Sequence, residues 1–266
     1  MKQSLLLATG LSLVLAISPA FGSDLSKATD LFQQQNYEQA RSLLEPLARG
    51  GDVKALAMLG NIYENGLGVD ADRQRAQNLY ERGANVGDLT CLNALRELQN
   101  QDYRKELVDI KGRIEQGYAS AMNRYGVMLE FGQGLERNPT EAFAWYQKAA
   151  KAQLPDAYYN LGRAYNFGTG VSQDFSLAED WYYKAIKEGN TDALFYLGTL
   201  YSNNLGADKT TDQNVIAYAW MHNAAKLGNR TAQAIEQRLL IKLDAANMGD
   251  SARALASAYE RQYLKP

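Results

Sequence analysis

Residues 157–189 read AYYNLGRAYNFGTGVSQDFSLAEDWYYKAIKEG, and this stretch decides the fold. Ala157, Leu161, Ala164 and Tyr165 recur at spacings of three and four, which places them on one face of a helix. The run Phe167-Gly168-Thr169-Gly170-Val171 interrupts that periodicity. Two glycines in three residues reach backbone angles that a Cβ disfavours, so the chain can reverse before Asp174, which is suited to cap a second helix. In that helix Ala178, Trp181, Tyr182, Ala185 and Ile186 share a face, and Gly189 stands where a C-terminal capping glycine belongs.

Copies of this unit set the architecture. The glycine that follows leucine at Gly162 has counterparts at Gly60, Gly126 and Gly198, and Gly126, Gly162 and Gly198 are 36 residues apart. Glycine pairs fall at Gly66/Gly68, Gly132/Gly134 and Gly168/Gly170, and the fourth copy keeps Gly206 with Asn204 in the first place. The second helices carry Ala76/Tyr80, Ala142/Trp145/Tyr146, Ala178/Trp181/Tyr182 and Ala217/Trp220/Ala224. A helix pair cannot cover its own apolar face, so a repeat of this length stacks on its neighbours. The expected fold is an all-α solenoid of antiparallel helix pairs.

The order A-x-x-x-L-G-x-x-Y, then G-x-G-V, then A-x-x-W-Y-x-x-A and a closing glycine resembles the Sel-one-like repeat family, a relative of the tetratricopeptide repeat. The resemblance spans roughly residues 51–228. It implies a right-handed superhelix that binds other proteins or serves as an adaptor, and many bacterial members of that family work in the cell envelope.

The segments outside the clear copies are read from their own patterns. Residues 1–22 carry a basic start at Lys2, an apolar run from Leu5 to Ile17, and Ala20 and Gly22 at cleavage positions, as in a secretory signal. The apolar run is shorter than the roughly 20 residues of a membrane span. Cleavage is expected after Gly22, with Ala20 as the alternative, and the absence of a cysteine there argues against a lipid anchor. The expected mature chain is therefore free in the periplasm, or secreted beyond it. Residues 24–51 read as an N-terminal capping pair, 52–87, 118–153, 154–189 and 190–228 as clear repeats, and 229–266 as a C-terminal cap. Residues 88–117 read as a worn repeat, its helices joined by a turn at Asn100-Gln101-Asp102. The unit at 190–228 is three residues longer than the others, the extra length lying in residues 203–214.

Composition narrows the function. Of the 266 residues 46% are hydrophobic and 17 are tyrosine, enough for a continuous core. The formal charge is −2, or −3 once Lys2 leaves with the signal, which favours neither nucleic acid nor an anionic membrane. The single cysteine, Cys91, sits among Leu89, Leu92 and Leu95 and reads as a buried thiol with no disulfide partner. His222 is the only histidine and has no second ligand with which to hold a metal. The glycine pairs follow helices and lack a following Lys-Ser or Lys-Thr, so they read as turns and not phosphate loops. Consecutive acids such as Glu179-Asp180 point in different directions along a helix and do not suit two-carboxylate catalysis. No catalytic residue and no cofactor site is expected, and Trp145, Trp181 and Trp220 recur at the repeat period as packing residues.

The expected site follows from what the core leaves over. In solenoids of helix pairs the first helices line the concave side, and beside their alanine, leucine and tyrosine columns runs a second stripe. It comprises Ala57, Asn61 and Glu64; Asn123, Val127 and Glu130; Tyr159, Arg163 and Asn166; Phe195, Thr199 and Ser202. Aromatic anchors, an arginine and carboxylates suit a protein or peptide partner with apolar and charged points. The expected function is a non-enzymatic envelope scaffold, either an adaptor or regulator or an immunity-type inhibitor of a toxic effector. The alternatives are a 208–212 edge loop as the binding site and a cell-wall glycan as the ligand, the latter resting on Tyr158, Tyr159, Phe195 and Tyr196 lying off the repeat period.

Overall fold

The structure is a computed structural model that describes residues 19–264, and all regular secondary structure among them is helical. In chain order the helices are α1 (Pro19–Gln33), α2 (Tyr37–Arg49), α3 (Val53–Asn65), α4 (Arg73–Asn85), α5 (Leu89–Glu115), α6 (Ala119–Phe131), α7 (Pro139–Lys151), α8 (Pro155–Phe167), α9 (Phe175–Lys187), α10 (Asp192–Ser202), α11 (Gln213–Lys226), α12 (Arg230–Ala245) and α13 (Gly249–Tyr263). Residues 1–18 of the expected export signal lie outside the described residues. The chain divides into two compact units, one ending at Gln99 and the other starting at Asn100, a division that falls within α5.

Each repeat is built by the same local chemistry. The first helices α3, α6 and α8 end on Gly66, Gly132 and Gly168, all left-handed with φ of 64, 69 and 66°. The second glycine of each pair is also left-handed and lies against an earlier helix. A Cβ on Gly170 would stand 2.1 Å from the Pro139 carbonyl oxygen at the start of α7, so the backbone passes too close there for any side chain. Asp72, Asn138, Asp174 and Asp212 then cap α4, α7, α9 and α11, each side-chain oxygen accepting a hydrogen bond from a backbone N–H of the first turn.

Within a repeat the two helices meet at glycine. Cβ atoms on Gly60, Gly126 and Gly162 would fall 2.3, 2.6 and 2.5 Å from the rings of Tyr80, Tyr146 and Tyr182, so each tyrosine ring occupies the space that a side chain at the glycine would need. One turn on from each glycine a polar side chain meets the phenol. The Tyr80 hydroxyl donates to Glu64 at 2.9 Å, the Tyr146 hydroxyl donates to Glu130 at 2.6 Å, and the Asn166 amide donates to the Tyr182 hydroxyl at 3.3 Å. In the fourth copy Met221 takes the tyrosine's place over Gly198, and the residue one turn on, Ser202, is exposed and donates to the Thr199 carbonyl. The phenol and its partner are lost together.

The segment 88–117 departs from the expected helix pair. The helix α5 runs unbroken for 27 residues, and Asn100-Gln101-Asp102 lies inside it. No glycine or proline falls at or near Asn100-Gln101-Asp102, and Gly112, near the C-terminal end of α5, does not interrupt it, so the helix propagates through the expected turn. The second half of α5 still takes the place of a second helix: Gly134 packs against Tyr103 and Arg104, as Gly170 packs against the start of α7. Ile110 there joins Ala121 and Met128 of α6 in a small core. Within the first unit Cys91 is fully buried, and a Cβ on Gly83 would stand 2.3 Å from its sulfur. Gly83 thus marks the close approach of α4 and the start of α5. Burial and a hydrogen bond from the thiol to Asp88 push the Cys91 pKa up to about 12.

Candidate binding groove between α8 and α10

The stripe expected from the sequence divides in two. Glu130 and Asn166 are buried, contrary to their placement outside the core, because the position one turn after the glycine faces the phenol of the second helix. Glu130 also receives Arg163 from the next repeat at 3.2 Å, with only 21% of the arginine side chain exposed. Glu130, Tyr146 and Arg163 therefore join two successive repeats in one network, and burial with the Glu130 hydrogen bond drives the Tyr146 pKa well above its usual value. Asn123 accepts a hydrogen bond from the buried Asn160 amide at 2.9 Å, a second link between α6 and α8. Asn61, Glu64 and Val127 are half-buried.

The remaining members gather in the second unit. Phe195 and Thr199 line a groove of about 370 Å³ with Asn166, Phe167, Tyr196 and Leu205. Its walls are the C-terminal turn of α8, the outward face of α10 and the start of the 203–212 loop. Phe167 is 58% exposed and meets Tyr196 edge to face at 6.1 Å, and Tyr196 stacks on Tyr182 at 5.7 Å. Tyr159 packs against both Tyr182 and Tyr196, and burial with a hydrogen bond to Tyr196 raises its pKa. The Arg163 guanidinium lies between the Tyr159 ring, at 5.9 Å, and that of Phe131, at 5.8 Å; Phe131 is 54% exposed.

Phe131 and Phe167 are the same position in two repeats, immediately before the capping glycine; the sequence placed Phe167 in the turn and did not single out Phe131. The sequence signal they share is an aromatic immediately before a glycine pair, which does not by itself tell an exposed ring from a packed one. The Phe131–Arg163–Phe167–Tyr196–Phe195 surface is aromatic, rigidly backed, and interrupted by one cation that is already paired.

The 203–212 loop is held in place. Glu179 is buried; it accepts the Tyr201 hydroxyl at 2.5 Å and the Ala207 N–H at 2.7 Å. Gly206 lies against the Tyr201 ring. Asp208 closes a turn by accepting from the N–H and the hydroxyl of Thr210, both at 2.7 Å. Leu205 is thereby fixed as a groove wall.

Two other singled-out residues have structural partners. Cys91 is enclosed, and His222 stacks on Tyr218 while its Nδ1 lies 2.7 Å from Glu236, which ties α11 to α12. They lie in different units, and no cluster of three or more metal-ligating side chains occurs among the described residues.

The chain is similar to the crystal structure of a Sel1 repeat protein from Oxalobacter formigenes, at 24% identity over 88% of this chain and 95% of that one, with a TM-score of 0.48. It is similar to c5321, a protective antigen of uropathogenic Escherichia coli with an SLR fold, at 21% identity over 90% and 61% of the two chains, TM-score 0.33. It is also similar to the immunity protein Pa5087 of Pseudomonas aeruginosa, at 18% identity over 85% and 83%, TM-score 0.30. No curated protein matches. The Sel1 repeat family model matches residues 25–52, 53–88, 119–154, 155–190 and 191–229. These matches include residues 25–52, read above as a cap, and omit the α5 segment and α12–α13. Covering about two thirds of the sequence, they establish that this chain belongs to the Sel1 repeat family.

Proposed function

We propose that this protein is a non-enzymatic scaffold of the cell envelope that holds a protein or peptide partner in the groove between α8 and α10. One observation carries the reading: the exposed Phe167 and half-buried Phe195 and Tyr196 form one aromatic surface backed by packed rings and walled by an anchored loop. Large aromatic side chains on a rigid support offer contact area at little entropic cost, which is what a binding hot spot requires. The basic and apolar features of residues 1–22 support export, and a freely diffusing periplasmic chain is the corresponding location. An adaptor of an envelope assembly and an inhibitor that covers a toxic effector both use such a groove, and the class of partner distinguishes them.

The test is site-specific photo-crosslinking in living cells. A photoreactive residue placed at Phe195 or Leu205 should trap one discrete protein in the periplasmic fraction, while the same residue at the exposed Gln74 of α4 should not. Equal trapping at Gln74, or a chain that stays cytoplasmic at full length, contradicts the proposal.

A further inference from the structure

The second helices carry a motif that the groove above does not use. Trp145-x-x-Lys148-x-x-Lys151 on α7 recurs as Trp181-x-x-Lys184-x-x-Lys187 on α9 and as Trp220-x-x-Asn223-x-x-Lys226 on α11. The first two copies face solvent. Their tryptophans are half-buried, the lysines are exposed, and the ammonium groups of Lys148 and Lys184 lie 3.6 and 5.1 Å from the Trp145 and Trp181 ring centres.

The third copy is covered by the chain itself. Helix α13 lays Tyr259 and Tyr263 on Trp220 at 4.3 and 5.2 Å, so that Trp220 is fully buried. Tyr263 reaches on to Tyr183 of α9 at 6.0 Å. Glu260, between the two tyrosines, pairs with Lys226 at 2.5 Å, and the Asn223 amide donates to the Ala256 carbonyl at 3.0 Å. Asparagine replaces lysine at 223 because that position is enclosed beneath α13, where an ammonium group would lose its water.

The same seat stands open one repeat earlier. A groove of about 290 Å³ between α7 and α9 is lined by Gln147, Ala150, Lys151, Leu161, Trp181 and Lys184. By repeat position these correspond to Tyr183, Ile186, Lys187, Leu197, Trp220 and Asn223 around α13. The open seat keeps the tryptophan floor and adds cations. Lys148, Lys151, Lys184 and Lys187 are four exposed positive charges on two adjacent helices, so the surface that α13 satisfies with one carboxylate here calls for more.

We infer that the α7–α9 groove is a second docking site, for an amphipathic helix of a partner protein that carries two aromatic residues one turn apart with carboxylates beside them. The aromatic pair takes the places of Tyr259 and Tyr263 over Trp181. The carboxylates meet Lys187, which corresponds to Lys226, and Lys151 across the groove. Aromatic anchoring supplies affinity, and the charge pairs fix direction and register.

The probe is a fluorescein-labelled peptide of residues 249–264, with Arg253 and Arg261 changed to Glu to match the lysines, titrated into the mature full-length chain with polarisation as readout. Saturable binding is expected. It should weaken by about tenfold or more in Trp181→Ala and in the surface variant Lys151→Glu/Lys187→Glu, and should vanish for the peptide with Tyr259→Ala and Tyr263→Ala. Lys226→Glu should leave it unchanged. Absence of saturable binding overturns the inference. So does binding that Lys226→Glu weakens and Lys151→Glu/Lys187→Glu does not, since the peptide would then be exchanging with the chain's own α13. A doubled mass in sedimentation without peptide, lost in Lys151→Glu/Lys187→Glu, would make the occupant a second copy of this chain and would equally overturn it.

Discussion

Gly162 and Tyr182 are one contact: the tyrosine ring lies where the glycine's Cβ would be, 2.5 Å from that point. The same relationship joins Gly60 to Tyr80 and Gly126 to Tyr146, and it fixes the spacing of the two helices in each repeat. At Gly198 the facing side chain is Met221, at 2.9 Å through flexible atoms. Gly162→Ala should therefore lower stability by roughly 1–3 kcal/mol, because the Tyr182 ring is enclosed and cannot swing away. Gly198→Ala should cost clearly less, since methionine can shift. Chemical denaturation of the two variants checks this; equal losses would mean that the ring does not set the helix spacing.

Gln153 ends its repeat at φ 61°, in the left-handed region, where Gly87, Gly117, Gly189 and Gly228 end theirs. A residue with a Cβ is disfavoured in that conformation and glycine is not. Gln153→Gly should raise stability by about 1 kcal/mol. A rise in Tm is the readout, and a fall would contradict the account of the repeat ends.

Arg124 makes a bidentate pair with Glu106, at 2.6 and 2.7 Å, joining α5 to α6. The Arg124 hydrogen bonds hold the Glu106 carboxyl below its ordinary pKa. Its stabilising contribution is thus complete above the unfolded glutamate pKa of about 4.3 and is lost as the pH falls through the lower folded value. Both side chains are partly exposed, so the effect is small and salt-sensitive. Glu106→Gln should flatten the dependence of stability on pH below about 5 while changing little at pH 7. An unaltered acid limb would show that the pair contributes nothing.

Cys91 is enclosed against Gly83 and its pKa is pushed up to about 12, so thiolate is scarce at neutral pH. A thiol reagent at pH 8 should react only after denaturant is added. Fast reaction of the native chain would contradict the packing of α4 on α5.

The repeat frame was legible because its parts recur in the same order: the glycine facing the second helix and the alanine columns occur in four copies, and the glycine pairs and the tyrosines over glycine in three. The sequence misleads where the repeat frame is carried beyond the clear copies. A turn at Asn100-Gln101-Asp102 was required by the repeat alone, while those residues contain no helix breaker, and α5 runs through them. Glu130 and Asn166 were assigned to the surface by their helical spacing beside the core columns, although their separation of 16 residues from Tyr146 and Tyr182 matches that of Glu64 from Tyr80 and marks them as phenol partners. The exposed Phe131 and Phe167 escaped notice because a helix-end aromatic is indistinguishable, in sequence, from one packed on a neighbour. The groove itself depends on where the loop after α10 is anchored. That anchor, Glu179, lies 22 residues from Tyr201 and 28 from Ala207.

The central claim is that a partner is held by the aromatic groove of α8 and α10. The most direct measurement is the affinity of the crosslinked partner, purified, for wild-type protein and for Phe167→Ala/Phe195→Ala. These side chains project from helix surfaces without filling the core, so the variant should keep its helical circular dichroism and Tm while binding falls by about tenfold or more. Unchanged affinity in that variant, with binding lost instead on replacing Asp208–Asp212, would contradict the account and move the site to the edge loop.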